Sequence, residues 1–488
     1  MIKTPPIDWL TLAPALALLA ATLASLMTAV LVPERFRKNV SWAACLAGYA
    51  GALAAAGVLF DRSAHAHAVI ANSLFRDRYG ALAAMIVAGV GLLTTLVYYG
   101  ERSATDRFGE RFALLASAGG GMIFFAQSAN LLTLFLGLEW FSISLYVLCA
   151  LERERPEAIE AGFKYLIVVG FSSAIFVFGA AFVYGASGTL NLAQIAGKAA
   201  SGDLLLLTGL AMILTGFGFK ASAAPFHTWT PDVYQGAPTP VSGFMAGATK
   251  AVALVVALRV LTVSFPDQEH LWTTAAAVLA VASLVVGNLA ALAQRDLKRM
   301  LAYSSISHAG FLLLAVTAAS SLGARALLYY LIPYGAASVG VFALAALHER
   351  ERGEPTTLDN LAGFGWRRPL HGIALWIFML SFAGFPLTGG FVGKVYVFAA
   401  AYQAGWTWLL VVGAVATVVS LGYYLAVVRA IYMRPGIDEH AGADGELPML
   451  DRLLSIAVFV ATVITVGSFF AAQPLINLAK HAASQLPF

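Results

Sequence analysis

The sequence predicts an all-α polytopic membrane protein with about fourteen transmembrane helices, and three observations carry that expectation. Sixty per cent of the 488 residues are hydrophobic and 11% are charged, whereas a soluble domain holds about 45–50% apolar and about 25% charged residues. The apolar residues come in unbroken runs of about 20, the length of a membrane-crossing helix, not in the polar–apolar alternation of barrel strands. Lys and Arg also alternate by loop, 19 in one set and 7 in the other. That bias places both termini outside the cytoplasm and requires an even number of spans. A soluble enzyme, a disordered chain and a fibrous protein are excluded. The net charge of +4 is small for this length and offers no nucleic-acid surface.

In order, the apolar runs place spans at about 8–32, 40–60, 79–99, 112–128, 130–150, 163–185, 203–235, 238–262, 272–293, 297–318, 324–347, 370–402, 405–432 and 453–475. The segment Met1–Trp9 lacks the basic region of a signal peptide, so the first run is expected to remain as a helix. Residues 1–100 form a three-helix segment, 101–262 hold spans 4–8, 263–435 hold spans 9–13, and 436–488 hold a C-terminal helix. Cys45 and Cys149 lie far apart within apolar runs and show no zinc or iron–sulfur spacing. Gly119-Gly120-Gly121 in span 4 reads as a close helix-packing site, not a phosphate loop.

Four charged residues occupy positions that an apolar run should exclude: Glu139 in span 5, Lys220 in span 7, Lys250 in span 8 and Lys394 in span 12. Each costs at least ~2.5–3.5 kcal/mol at a helix centre. Removal from water destabilises an ammonium relative to the neutral amine, so a buried lysine can load and release a proton, and a neighbouring carboxylate can control when. A static pair of Glu139 with a lysine is the bland alternative. No second intramembrane carboxylate is present for Lys250 or Lys394. Arg259, near the outer end of span 8, is expected to snorkel to the interface. His308 in span 10, with Ser304, Ser305 and Ser307, makes a polar patch suited to a proton relay, and His227 in the interrupted part of span 7 is a further relay candidate.

Spans 7 and 12 are too long to cross unbroken. At 1.5 Å per residue, the run 370–402 would reach about 50 Å, against a core of ~30 Å. Pro225 and Pro386 mark the expected breaks. Broken membrane helices persist where their freed backbone groups face protein or a watery cavity. The break is fourth in each block of five spans. Because five is odd, the second block inserts upside down, giving two inverted five-helix repeats (spans 4–8 and 9–13) of the transporter kind. Span 5, with Glu139, then corresponds to span 10, with His308.

These residues carry a resemblance. Lys220-Ala-Ser-Ala-Ala-Pro-Phe-His-Thr-Trp-Thr-Pro-Asp-Val-Tyr-Gln-Gly-Ala-Pro-Thr-Pro240 is similar to the most distinctive stretch of the antiporter-like membrane subunits of respiratory complex I (NADH-quinone oxidoreductase). The Pro-Asp-Val-Tyr ending and the lysines at 250 and 394 resemble the subunit N line within it. Gln294–His308, Phe385-Pro-Leu-Thr-Gly-Gly-Phe-Val-Gly-Lys394 and Lys164-Tyr-Leu also match. The resemblance implies a proton-translocating inner-membrane subunit in which Glu139 and Lys220 form a modulating pair, Lys250 is the central relay and Lys394 the terminal site. Lys164, His227 and His308 are further relay candidates. It implies no cofactor on this chain, with NAD, FMN, iron–sulfur clusters and quinone in partner subunits. It also implies neighbours that include antiporter-like subunit M, small subunit K and lipids. A cation/proton antiporter subunit, or the equivalent subunit of a related dehydrogenase with another electron donor, is the alternative reading.

Overall fold

The computed structural model describes residues 6–101, 107–198, 200, 202–434 and 449–488. Lys3, Arg102, His440 and the domain limit at 435–436 lie outside the described residues. The chain opens with α1 (Trp9–Leu31) and α2 (Glu34–Arg62). A two-stranded antiparallel hairpin, β1 (His67–Val69) and β2 (Leu74–Arg76), precedes α3 (Arg78–Tyr98). There follow α4 (Phe108–Gln127), α5 (Leu131–Cys149), α6 (Pro156–Ser187), the short α7 (Leu192–Ile195), α8 (Leu204–Ala221) and α9 (Trp229–Gly236). α10 (Thr239–Phe244) continues through a π-helical turn, Met245–Thr249, into α11 (Lys250–Ser264). The second half holds α12 (Glu269–Leu292), α13 (Leu297–Thr317), α14 (Ser321–Arg352), α15 (Phe364–Arg367), α16 (Pro369–Ala383) and α17 (Gly389–Gln403). It closes with α18 (Thr407–Met433), α19 (Met449–Phe470) and α20 (Ala472–Ala483).

Among the described residues, twelve helical segments are long and apolar enough to cross a membrane. α4 and the broken pair α16–α17 stand where the other two spans are expected. Short polar residues start many of these helices by accepting a backbone N–H of the first turn: Asp8 for α1, Asp77 for α3, Asn130 for α5, Asp203 for α8, Asp296 for α13 and Ser320 for α14. The C-terminal region differs from the single expected helix. Residues 472–483 form a separate helix, α20, packed on α14 and α3. Just beyond it, the Gln485 amide bridges the Arg78 N–H and the Ser63 and Ala64 carbonyls. A lower density of apolar residues after Phe470 was the sequence signal for this change.

The core is formed by α10–α11, α13 and α14, whose apolar stretches are 94–100% buried, against 33% for α1, α18 and α19. The outer helices present their remaining apolar surface outward, as lipid-facing helices do. Close approaches hold the layers together. At Gly121 an added Cβ would lie 2.6 Å from the Phe141 backbone N, so α4 and α5 meet backbone to backbone, as the triple glycine implies.

The two expected breaks are present, but they begin before the prolines. α8 ends at Ser222 and α16 at Gly384, both in the left-handed conformation (φ 58° and 79°). Each end is closed in the same way: Ala223 N–H bonds the Gly218 carbonyl at 2.8 Å, and Phe385 N–H bonds the Leu380 carbonyl at 2.9 Å. This six-to-one closure satisfies carbonyls that a cut helix would leave bare. Pro225 and Pro386 lie inside the non-helical segments, where both are exposed on the flank of the bundle. Helix length alone does not cause a break. α6 and α14, at 32 residues each, remain continuous, α14 through an internal Pro333.

Arg259 does not snorkel. It is 2% exposed, forks onto both carboxylate oxygens of Asp77 at 2.9 and 2.7 Å, and donates to the Ala126 carbonyl at 2.8 Å. The N-cap of α3, an acidic residue in a short loop, supplied a partner that span-by-span reading could not place. Removing one member of such a pair strands a buried charge and costs about 3–5 kcal/mol. Arg259→Ala is therefore expected to lower the thermal unfolding midpoint of the purified membrane protein. Arg259→Met combined with Asp77→Asn is expected to recover part of the loss, with both followed by the same melting measurement.

Candidate functional site

Lys220, Lys250, Lys394 and His308 are buried and Glu139 is half-buried, each beside a distortion or polar neighbour of its helix. On α5, Glu139 and Ser142 are one turn apart and share a face. Lys220, in the last turn of α8 and 2% exposed, donates to the Ser142 hydroxyl, which in turn donates to the Leu138 carbonyl. The ammonium also lies 4.8 Å from the centre of the Phe141 ring, a favourable position for a cation over an aromatic face. Among the described residues, Glu139 and Lys220 make no direct ion pair. Glu139 Oε1 is buried without a protein hydrogen-bond partner. The contact that Lys220 makes on α5 is thus with Ser142 rather than with Glu139.

Lys250 begins α11 directly after the π-helical turn, fully buried. Such turns occur often at functional sites because the extra residue re-aims side chains. Lys250 Nζ donates to the Ser305 hydroxyl on α13, which is 3.1 Å from the Tyr334 hydroxyl on α14. About one turn from Ser305 along α13, His308 is held at both ring nitrogens. Nδ1 is 2.8 Å from the Tyr330 hydroxyl, and Nε2 is 3.0 Å from the Tyr424 hydroxyl on α18. Tyr424 also meets the Ser304 hydroxyl. The imidazole is 4.8 Å from the Tyr334 ring and 5.2 Å from the Phe382 ring, centre to centre. Hydroxyl groups, which both give and accept protons, therefore connect Ser305 to Tyr334 and His308 to Ser304.

Lys394, in the second turn of α17, reaches back across the second break. Its ammonium donates to the Ala383 carbonyl at 3.2 Å, the last residue of α16, and sits 4.3 Å from the centre of the Phe311 ring on α13. Gly384 makes room for it: a Cβ there would come within 2.7 Å of Lys394 Cδ. Among the described residues, neither Lys250 nor Lys394 makes an ion pair, in accord with the absence of a second carboxylate in the spans.

The other candidates lie elsewhere. His227, in the segment between α8 and α9, is half-buried, with Nδ1 unpartnered. Lys164 is at one face of the bundle with a side chain 42% exposed, bound to Glu160 at 2.7 Å and Asp232 at 2.8 Å. Asp232 also holds Arg299 at 2.7 Å. Lys164, Glu160 and Asp232 rim a cavity of about 730 Å³ that also touches Lys298, Glu349 and Glu152. Burial, reinforced by nearby Glu101, raises the carboxyl pKa of Glu152 in spite of Arg155 and Arg111. Among the described residues, no group of three or more metal-ligating His, Cys, Asp or Glu side chains is present.

The sequence reading missed Ser142, Tyr330, Tyr334 and Tyr424. Tyr330, Tyr334 and Ser338 recur at intervals of four in the apolar run of α14, which puts them on one helical face. That spacing was the available signal.

Residues 128–420 match the family described as NADH:quinone oxidoreductase/Mrp antiporter, TM. NADH-quinone oxidoreductase subunit N of Mycobacterium bovis is 36% identical over the whole of both chains. A chain of respiratory complex I from Thermus thermophilus superposes with a TM-score of 0.80 at 34% identity, covering 96% of this chain and 99% of that one. A chain of the Mrp complex from Dietzia sp. superposes with a TM-score of 0.84 at 23% identity, over 98% and 97% of the two chains, which shows a shared fold. With more than half of the chain matched by the family and a relative similar from end to end, the chain belongs to the NADH:quinone oxidoreductase/Mrp antiporter membrane family, in the line of the NADH-quinone oxidoreductase subunit N proteins.

Proposed function

We propose that the chain is a proton-translocating membrane subunit of an NADH-quinone oxidoreductase, moving protons through its buried layer while quinone reduction in other subunits supplies the energy. The single observation that carries this reading is that Lys220, Lys250 and Lys394 are each buried against hydroxyls, carbonyls and aromatic faces, with no contacting carboxylate among the described residues. A structural ion pair would neutralise each charge. A relay needs each lysine able to lose it.

Displacement of Glu139 from the neighbourhood of Lys220 and Ser142 removes the compensating negative charge, and the lysine releases its proton. Lys250 takes it up. The hydroxyls of Ser305 and Tyr334 and the His308 cage carry it toward Lys394, from which it leaves. Buried polar atoms without protein partners, Glu139 Oε1, His227 Nδ1 and the Tyr234 hydroxyl, are where bridging water would sit. His227 and Lys164 stand beside the route rather than in it. Pro225 and Pro386 keep the two breaks open. The chain itself binds no cofactor in this reading; NAD, FMN, iron–sulfur clusters and quinone belong to partner subunits. Its neighbours are subunit M, subunit K and lipids, its location is the inner membrane, and both termini face the periplasm. Residues 101–262 and 263–435 act as the two inverted repeats. The fold shared with the Mrp complex supports a second reading, an ion/proton antiporter, which predicts proton movement that does not depend on quinone reduction.

In the reconstituted complex, Lys394→Ala and Glu139→Ala are each expected to lower the number of protons pumped per quinone reduced. An unchanged ratio in both variants would sink the relay. Glu154 and Ser484, both exposed, report orientation. A membrane-impermeant thiol reagent applied from the periplasmic side is expected to label Ser484→Cys and to leave Glu154→Cys unlabelled; the reverse pattern would invert the topology.

A further inference from the structure

We propose that Glu349 is the proton-uptake group of this subunit, standing at the floor of the cavity and feeding Lys250 through Thr239 and Tyr234. The inference rests on the proton-translocation reading and names the place where the relay meets water.

The cavity of about 730 Å³ opens on the face of the bundle rich in Lys and Arg, the predicted cytoplasmic face. At its floor three buried or half-buried groups from three helices meet on one hydroxyl. Thr239, at the start of α10, donates to Glu349 Oε2 near the end of α14. The Thr239 hydroxyl oxygen accepts from Lys298 Nζ on α13 at 3.0 Å, and Lys298 also donates to the Ala237 carbonyl at 2.9 Å. Thr239 and Lys298 are 1% and 3% exposed. A carboxylate and an ammonium are therefore both coupled to a hydroxyl that can take a proton on one lone pair as it gives up its own.

Polar groups continue inward from this point. α10 leads from Thr239 through the π-helical turn directly to Lys250. Along α14, Phe342 lies two turns inward from Glu349, and its ring is 6.1 Å from that of Tyr234, edge to face. The Tyr234 hydroxyl is buried and has no hydrogen-bond partner among the described residues. Ser338 and Tyr334 follow on the same face of α14, about three and four turns from Glu349. Tyr334 meets Ser305, and Ser305 receives Lys250. A proton from bulk water thus has a carboxylate to bind at the cavity floor. Below it are the Thr239 hydroxyl, the Tyr234 hydroxyl with one water to complete its hydrogen bonding, and the Ser305–Lys250 contact. A purely structural Glu349 would need only to tie α14 to α10, and glutamine could do that equally well by accepting from Thr239.

The test uses the whole complex reconstituted in liposomes with Glu349→Gln, Glu349→Asp and Lys250→Ala. The readouts are protons translocated per quinone reduced and NADH oxidation by the assembled complex. The expected result is that Glu349→Gln loses translocation to the same degree as Lys250→Ala, while Glu349→Asp retains it and all three variants assemble. If Lys250→Ala loses translocation and Glu349→Gln pumps at the unaltered ratio, the uptake role is overturned and the relay stands. Equal loss in Glu349→Gln and Glu349→Asp would also overturn it, by showing a packing role. If Lys250→Ala pumps normally, the relay is wrong and the uptake role falls with it.

Discussion

The charge of three lysines in the membrane core is the constraint on which the rest of the structure depends. A buried ammonium costs several kcal/mol unless it is compensated, and an ion pair is the usual remedy. Here the groups in contact with the lysines are neutral. Lys220 has the Ser142 hydroxyl and the Phe141 ring, Lys250 has Ser305, and Lys394 has the Ala383 carbonyl and the Phe311 ring. Neutral partners hold a lysine in place whether or not it carries its proton, so the charge can come and go without the site collapsing. Arg259 shows the contrast within the same chain. A permanently charged guanidinium is given a full carboxylate, Asp77, in a forked pair suited to fixing two helices.

Helix irregularity supplies much of this neutral compensation. The end of α16 frees the Ala383 carbonyl for Lys394. The end of α8 places Lys220 in the last turn, where the negative end of the helix dipole favours a cation. The π-helical turn sets the start of α11 at Lys250. Both breaks close with the same left-handed residue and six-to-one hydrogen bond, at Ser222 and Gly384. The two closures are equivalent, although the lysines that use them stand on opposite sides of the break.

Much of the fold was legible because its signals are local and additive. Runs of apolar residues, loop charges and the mid-run Gly and Pro clusters located the spans and both interruptions, with helix ends up to seven residues away where α6 starts at Pro156 instead of 163. Glu139, Lys220, Lys250, Lys394 and the Ser304–His308 patch stood out because charge and polarity are costly in hydrocarbon. The tyrosine cage did not stand out. Tyrosine is apolar enough to pass within a span, so the hydroxyls of Tyr330, Tyr334 and Tyr424 became visible only when three helices were packed together. The left-handed residues that start the breaks were hidden for a related reason. The chain turns where a capping closure is available, at Ser222 and Gly384, and the prolines mark the segment that follows. Asp77 and Ser142 were missed as partners because a contact across distant helices leaves no trace in the spacing along one of them.

The central claim is that buried lysines change protonation state as the complex turns over. Isotope-edited infrared difference spectroscopy on the complex with ¹⁵N-lysine, triggered by quinone reduction, tests this directly. The account predicts isotope-sensitive ammonium bands that appear or vanish with turnover and are diminished in Lys250→Met. Difference spectra without any lysine bands, in a complex that pumps protons normally, would contradict it.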